Sequence, residues 1–126
     1  KHPWALVGSE LTPSYLMQSC QTITDIWSEY TVGLNGFLPV RELEENWGPK
    51  WRGNVPKVKT AWGRRKKVID LVTELSKKPR WDVDLALRFL EAVYGRNYTA
   101  GTFCAYLQKK DAGAHEAVME RSNAYP

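Results

Sequence analysis

Apolar residues recur along most of this chain at the three- and four-residue spacings of an amphipathic α-helix. The pattern predicts a first helix that ends at Gly33, a second over residues 40–47 and a third over residues 55–76. Gly48 follows the second helix as a stop signal, the residues after it are predicted to form a loop, and Asn54 is placed to cap the third helix. The first part of the chain is therefore predicted to contain three helices.

The second half of the chain continues the helical pattern. A fourth predicted helix is capped near Asp82 and ends at Gly95, a fifth begins near Thr99, and a sixth follows, although Gly113 weakens its pattern. Residues 1–14 have no clear period and are predicted to form a tail or a packed strap. Because the sequence has no β-type alternation and no internal repeat, we predict an all-α fold.

Length and composition fit one domain. The chain has 126 residues, of which 43% are apolar and 25% are charged, and this is enough for a single hydrophobic core. We expect residues 15–126 to form this domain, with a three-helix core and a helical extension over about residues 80–122. Six tryptophans predict a core of large rings. The tryptophans expected between the first three helices are Trp27, Trp47, Trp51 and Trp62.

Several classes of protein are excluded by what the sequence lacks. No apolar stretch approaches the ~18 residues of a transmembrane helix, and no signal-peptide pattern is present. Cys20 and Cys104 have no partner at metal-ligand spacing, which favours two reduced thiols and predicts no zinc site. The chain offers no carboxylate pair near a histidine, no Ser/His/Asp-like set and no phosphate-cradling glycine loop. We therefore predict no enzymatic activity, no cofactor and no small-molecule substrate.

The net charge of +4 is distributed unevenly. Between Asn46 and Ile69 there is no acid, whereas the rest of the chain has ten bases against fourteen acids. The eight bases of this segment are Lys50, Arg52, Lys57, Lys59, Arg64, Arg65, Lys66 and Lys67. Such a segment is suited to a polyanionic partner, either nucleic acid or an anionic membrane surface.

The third predicted helix divides into two faces when it is wound at ~100° per residue. Its apolar face contains Val58, Ala61, Trp62, Val68, Ile69, Val72 and Leu75. Its opposite face contains Lys59, Thr60, Gly63, Lys66, Lys67 and Asp70, with Arg64 at the margin. The polar face is thus basic or small until its first acid, Asp70. A membrane partner is the weaker interpretation, since the apolar face is matched by apolar positions on the other helices.

Two residues of this helix lie where their type is unfavourable. Arg65 falls in the apolar face, where a charge needs an acid from another helix, and Asp25, Glu29 and Glu44 are the candidates. Contact of Arg65 with DNA is the alternative. Gly63 lies in the polar face, although glycine inside a helix costs ~1 kcal/mol relative to alanine. Either Gly63 is merely tolerated, or it allows the helix to approach a phosphate or base edge closely.

A three-helix unit with a basic third helix has the layout of helix-turn-helix, Myb-like, DNA-binding proteins. The major groove of B-form DNA is ~12 Å wide and accepts such a helix. The residues predicted to enter or flank that groove are Lys57, Lys59, Thr60, Gly63, Arg64, Lys66 and Lys67. The residues predicted to contact phosphates from the preceding loop are Lys50 and Arg52.

Over about residues 22–75 the sequence resembles the C-terminal DNA-binding domain of the fungal transcriptional activator of glycolytic enzymes. The same domain type occurs in fungal osmotic-stress and filamentation regulators. The positions that carry the resemblance are Asp25, Ile26, Trp27, Glu29, Tyr30, Gly33, Gly36, Pro39, Leu43, Glu44, Gly48, Trp51, Arg52, Arg64 and Arg65. The chain departs from the family pattern at Tyr30, where the family has tryptophan, and at Gly63, where it has a small polar residue.

The resemblance implies sequence-specific binding of double-stranded DNA in the nucleus by a fungal transcription factor, of a family that includes regulators of glycolysis. Other transcription factors are a further class of partner that it implies. Related domains occur in mobile-element recombinases and in an inner-kinetochore protein, so a DNA-binding module of such a protein is one alternative. A helical protein-interaction scaffold is another, with its partner held by aromatic residues that are more simply interpreted as core. These aromatic residues are Phe89, Tyr94, Phe103 and Tyr106.

Overall fold

A computed structural model describes residues 4–7, 10–13, 19–52, 55–109 and 113–125 of the chain. These residues form six α-helices, which confirms the predicted all-α class. The helices are α1 (Ile23–Thr31), α2 (Val40–Trp47), α3 (Pro56–Ser76), α4 (Val83–Val93), α5 (Ala100–Gln108) and α6 (Ala114–Ser122). Their bounds follow the predicted ones closely, whereas the predicted cap Asn54 lies outside the described residues. Within the described part of the chain, no helix combines the length and the apolar character needed to span a bilayer.

Two short strands precede the helices. Strand β1 (Trp4–Val7) pairs antiparallel with β2 (Glu10–Pro13), so that Trp4 lies opposite Pro13 and Val7 opposite Glu10. The sequence analysis did not predict this pair within its tail or strap. All four residues of β1 are apolar, so this strand has no alternation of apolar and polar positions for periodicity to detect.

Side-chain caps begin the helices of the second half. Asp82 accepts a hydrogen bond from the backbone N–H of Leu85 at 2.8 Å, which confirms the predicted start of α4. Thr99 forms a capping box with Thr102 at the start of α5. Gly113, which was expected to weaken the sixth helix, instead precedes its first turn with a left-handed φ of 56°. Glycine adopts this conformation without the steric cost of a side chain.

The segment after α2 is more regular than predicted. Gly48 ends α2 with φ of 57°, and its N–H donates to the carbonyl of Glu44. Residues Gly48–Arg52 then form a 3₁₀ turn, where the sequence analysis predicted a loop. A 3₁₀ element of five residues has no repeat long enough for a periodic signal.

The described residues divide into two compact units. The first unit contains the strand pair, α2 and the 3₁₀ turn, together with residues 28–31 of α1 and 56–63 of α3. The second unit contains α4, α5 and α6, together with residues 23–27 of α1 and 64–76 of α3. The single DNA-binding domain over residues 15–126 stays a prediction, as does its Myb-like arrangement.

Aromatic rings dominate the core of the first unit. Trp51 and Trp62 are buried and meet edge to face, with ring centroids 6.0 Å apart. Tyr30 stacks on Trp62 at 6.1 Å. Trp47 packs against this core from a partly exposed position. Trp27, which was also predicted for this core, is half-buried on α1 and belongs to the second unit. The buried members of the core are Val40, Leu43, Trp51, Val58 and Trp62.

The core of the second unit takes side chains from α3 to α6. Phe89, Tyr94 and Phe103 are buried and in ring contact, with Tyr94 5.3 Å from Phe103 and 6.1 Å from Phe89. Tyr106 is half-buried and stacks on Tyr94 at 6.2 Å. Four aromatic residues were considered above as the partner-binding residues of a helical protein-interaction scaffold. Three of them are core residues that no partner could reach.

Hydrogen bonds attach the start of α1 to the later helices of the second unit. The Oε2 atom of Glu91 on α4 accepts from the backbone N–H of Thr24 at 2.9 Å and from its hydroxyl at 2.6 Å. The N–H of Ala100, at the start of α5, donates to the carbonyl of Gln21 at 3.2 Å. Helices α4 and α5 thus hold the first turn of α1.

Candidate nucleic-acid interface

The large apolar side chains of α3 are buried, whereas Ala61 is partly exposed. Val58 and Trp62 are 3% and 7% exposed in the first unit. The buried side chains that follow in the second unit are Val68, Ile69, Leu71, Val72 and Leu75. Leu71 was not assigned to this face when the sequence was wound, because it lies at the edge of the apolar arc. Burial of this face orients the polar side of the same helix toward solvent.

The polar side of α3 is exposed at every position that the sequence analysis assigned to DNA contact. We define these residues as the basic face: Lys57, Lys59, Thr60, Gly63, Arg64, Lys66 and Lys67. Helix α3 has no acid in its first turn, and its first acid is Asp70. Lys66 lies 3.1 Å from Asp70, but both side chains are more than half exposed, so solvent weakens this pair. The basic face is thus a continuous cationic surface on one helix.

Gly63 lies at the centre of the basic face. The helical neighbours of a residue are three and four positions away, and for Gly63 these are Lys59, Thr60, Lys66 and Lys67, all of them exposed. A Cβ atom built on Gly63 meets no described atom within 4 Å, and its φ lies outside the left-handed region. Neither packing nor backbone conformation therefore requires a glycine here.

Arg52 has a structural partner that the sequence analysis did not assign to it. Its Nη1 atom donates to Oε2 of Glu44 at 2.5 Å, and Nε1 of Trp51 donates to the same oxygen at 2.5 Å. The guanidinium carbon of Arg52 also lies 5.6 Å from the centroid of the Trp51 ring. A guanidinium has five N–H donors, so a bond through one nitrogen leaves donors for a phosphate. Lys50 is exposed on the same 3₁₀ turn.

The two consecutive arginines of α3 differ in exposure. Arg64 is exposed, whereas Arg65 is half-buried. Of the acids proposed as partners of Arg65, Glu44 bonds to Arg52, and Asp25 accepts from the backbone N–H groups of residues 21 and 22. The structural pairing of Arg65 with an acid stays a prediction.

The charges of both arginines lower the pKa of a buried thiol of α5, that of Cys104. Burial raises the pKa of Cys104 above its ordinary value of 9.0, and the positive charges of Arg65 and Arg64 offset only part of that rise. Cys104 is 3% exposed and therefore remains a neutral thiol near pH 7. The described residues contain no group of three or more histidine, cysteine or acidic side chains placed to hold a metal ion.

Sequence reasoning did not predict two carboxylate contacts, that of Glu44 with Arg52 and that of Glu91 with Thr24. Glu44 lies eight residues before Arg52, and Glu91 lies 67 residues after Thr24. Neither separation has a helical or hairpin spacing, so no local signal indicates these contacts.

Comparison with known protein families finds one whose model includes this basic helix. The model of the family described as "Transcriptional activator of glycolytic enzymes" matches residues 15–93. The chain belongs to this family. The match includes α1, α2, α3 and α4 and extends beyond residues 22–75, which carry the resemblance in the sequence. Helices α5 and α6 follow the matched region. Transcriptional activators of glycolytic enzymes are not a class of enzymes.

A curated relative supports the same assignment. The chain is 30% identical over 78 residues to High-osmolarity-induced transcription protein 1 of Kluyveromyces lactis. These residues are 61% of this chain and 11% of the relative, so the chain spans only a small part of that protein's length. No solved structure matches the chain. The membership in the activator family therefore rests on sequence similarity.

Proposed function

We propose that this chain binds double-stranded DNA sequence-specifically through the basic face of α3, as the DNA-binding part of a nuclear fungal transcription regulator. The observation that carries the proposal is the exposure of the whole basic face, whereas the large apolar side chains on the other side of α3 are buried. Membership in the activator family supports it. Double-stranded DNA is then the principal partner, and other transcription factors are further partners.

The dimensions of α3 suit the major groove. Its 21 residues span ~30 Å at 1.5 Å per residue, and a helix with its side chains is ~10–12 Å across. The major groove is ~12 Å wide, so the first half of α3 could lie in it. In this arrangement the lysines neutralise phosphates, while Thr60 and Arg64 are the basic-face residues suited to hydrogen bonds with base edges.

The preceding 3₁₀ turn adds charge at the start of the helix. Lys50 and Arg52 lie in its last turn, and Lys57 follows in the first turn of α3. We propose that Lys50 and Arg52 contact the phosphate backbone and orient α3 in the groove. The bond from Glu44 keeps the Arg52 side chain in one position, which lowers the entropy lost when it binds a phosphate.

A salt titration tests this proposal. A labelled duplex is titrated with the protein at several KCl concentrations. Neutralisation of roughly five to seven phosphates predicts a slope of log K against log [salt] of about −4 to −6. A slope near zero would contradict DNA binding by this chain. Selection of sites from random duplexes then tests sequence specificity, which predicts recovery of one shared motif.

A charge-matched pair of variants tests the location of the interface. The first variant replaces three residues of the basic face: Lys59→Gln, Lys66→Gln and Lys67→Gln. The control removes three exposed bases outside α3: Lys77→Gln, Arg96→Gln and Lys109→Gln. Both lose the same net charge, but the first should reduce the magnitude of the salt slope by about 2–3, whereas the control should leave it nearly unchanged. Equal effects of the two variants would contradict the assigned face.

A further inference from the structure

We infer that Gly63 is the point at which the backbone of α3 comes closest to the bound DNA strand. The inference rests on the proposed function and deepens it, because it assigns a contact to a residue without a side chain. It combines two observations: the position of Gly63 within the basic face, and the absence of any internal need for a glycine there.

Gly33 and Gly95 have a structural reason for a glycine that Gly63 lacks. Gly33 has φ of 94°, and a Cβ there would lie 2.2 Å from the carbonyl oxygen of Phe37. A Cβ on Gly95 would lie 2.6 Å from the carbonyl oxygen of Glu91. At Gly63 a Cβ meets open space among the described residues, and φ is not in the left-handed region. A glycine inside a helix lowers helix stability, so the fold alone does not favour Gly63.

The surroundings of Gly63 are those of a close contact with a polyanion. Lys59, Thr60, Lys66 and Lys67 occupy the adjacent positions on the helix surface, and all four are exposed. Their side chains carry N–H and O–H donors around a central position that has no side chain. Glycine permits a backbone to approach a ligand closely. A sugar-phosphate strand could therefore rest against the helix at Gly63 while the three neighbouring lysines donate to its phosphates.

The chain offers a matched control glycine. Gly101 is also exposed and helical, and a Cβ built on it likewise meets nothing within 4 Å. It is the second residue of α5, whereas Gly63 is the eighth residue of α3. Substitutions at Gly101 add the same side chains to an open helical surface outside the basic face. They separate a general effect of a larger side chain from an effect on the DNA contact.

The experiment measures duplex affinity and melting temperature for Gly63→Ala, Gly63→Leu, Gly101→Ala and Gly101→Leu. Gly63→Ala should raise the melting temperature, since alanine favours the helix, and should still lower affinity. Gly63→Leu should lower affinity further, by about tenfold or more relative to wild type. The salt slope should stay the same because no charge changes. The Gly101 variants should bind as wild type does.

The outcomes distinguish failure of the inference from failure of the proposed function. A wild-type slope near zero would overturn the proposed function itself. A steep wild-type slope with equal affinity of wild type and Gly63→Leu would overturn only the inference, as would an equal loss in Gly101→Leu. If Gly63→Leu has a lowered melting temperature, Gly63→Ala decides: reduced affinity at an unchanged or raised melting temperature supports the close contact, and unchanged affinity refutes it.

Discussion

Oε2 of Glu44 lies 2.5 Å from Nη1 of Arg52. A carboxylate of α2 therefore holds the side chain of Arg52, which lies on the 3₁₀ turn that precedes α3. The side chains of Arg52 and Glu44 are 19% and 29% exposed, which partly shields the pair from solvent. The same oxygen accepts from the indole of Trp51, a member of the aromatic core. One carboxylate therefore connects core packing with a proposed phosphate contact.

Removal of the charge of Glu44 should destabilise the protein. Glu44→Gln retains an acceptor but loses the charge on two hydrogen bonds, and charge-assisted bonds contribute ~1.5–3 kcal/mol each. We expect the free energy of unfolding to fall by about 1–3 kcal/mol in urea titrations. Glu45→Gln, on the exposed side of α2, is the control and should change it by less than ~0.5 kcal/mol. Equal stability of the two variants would contradict the role of Glu44.

The neighbouring arginines of α3 should respond differently to truncation. Arg64→Ala should weaken DNA binding by about tenfold, since a base or phosphate contact is lost, while its melting temperature stays close to that of wild type. Arg65→Ala should lower the melting temperature, because the half-buried arginine is predicted to pair with an acid that would be left unpaired. Thermal unfolding and duplex titration of both variants check this. A normal melting temperature with lost affinity in Arg65→Ala would mean that Arg65, too, faces the DNA.

The contact between Glu91 and Thr24 should contribute to the stability of the second unit. Glu91→Gln weakens two hydrogen bonds to Thr24, and Thr24→Ala removes the one from its hydroxyl. We expect each change to reduce the free energy of unfolding by about 1–3 kcal/mol. The double variant should lose less than the sum of the two, since both changes act on the same hydrogen bond. Strict additivity would show that the two side chains do not interact. Glu120→Gln, at an exposed position of α6, serves as the control.

The buried thiol of Cys104 predicts a pH dependence of stability. Burial raises the pKa of Cys104 in the folded protein above 9.0, so the unfolded chain loses this proton at a lower pH than the folded chain. Stability from the neutral thiol is fully present below pH 9 and is lost as the pH rises through the folded pKa. Wild type should therefore lose stability above pH 9 more steeply than Cys104→Ala in urea titrations. The raised pKa of Tyr94 acts in both proteins and cancels in the comparison. Parallel pH profiles would contradict the prediction.

Much of the local structure could be predicted because helices carry their signals in neighbouring residues. The bounds of α2 and α3, the cap at Asp82 and the cap at Thr99 all depend on contacts within four positions. The exposure of the basic face follows from the same helical period. Gly113 shows the limit of this reasoning, since its φ, and not its helix propensity, explains its place at the start of α6.

The sequence by itself determined the all-α class, the order of the helices and the concentration of charge on α3, because each depends on residue type and local spacing. The tertiary structure decided which partners several charged groups have. Glu44, a candidate partner of Arg65 in the sequence, bonds to Arg52, and Glu91 meets Thr24 from a distant helix. Such contacts depend on where packed helices bring side chains together in space, and no periodic pattern in the sequence indicates them.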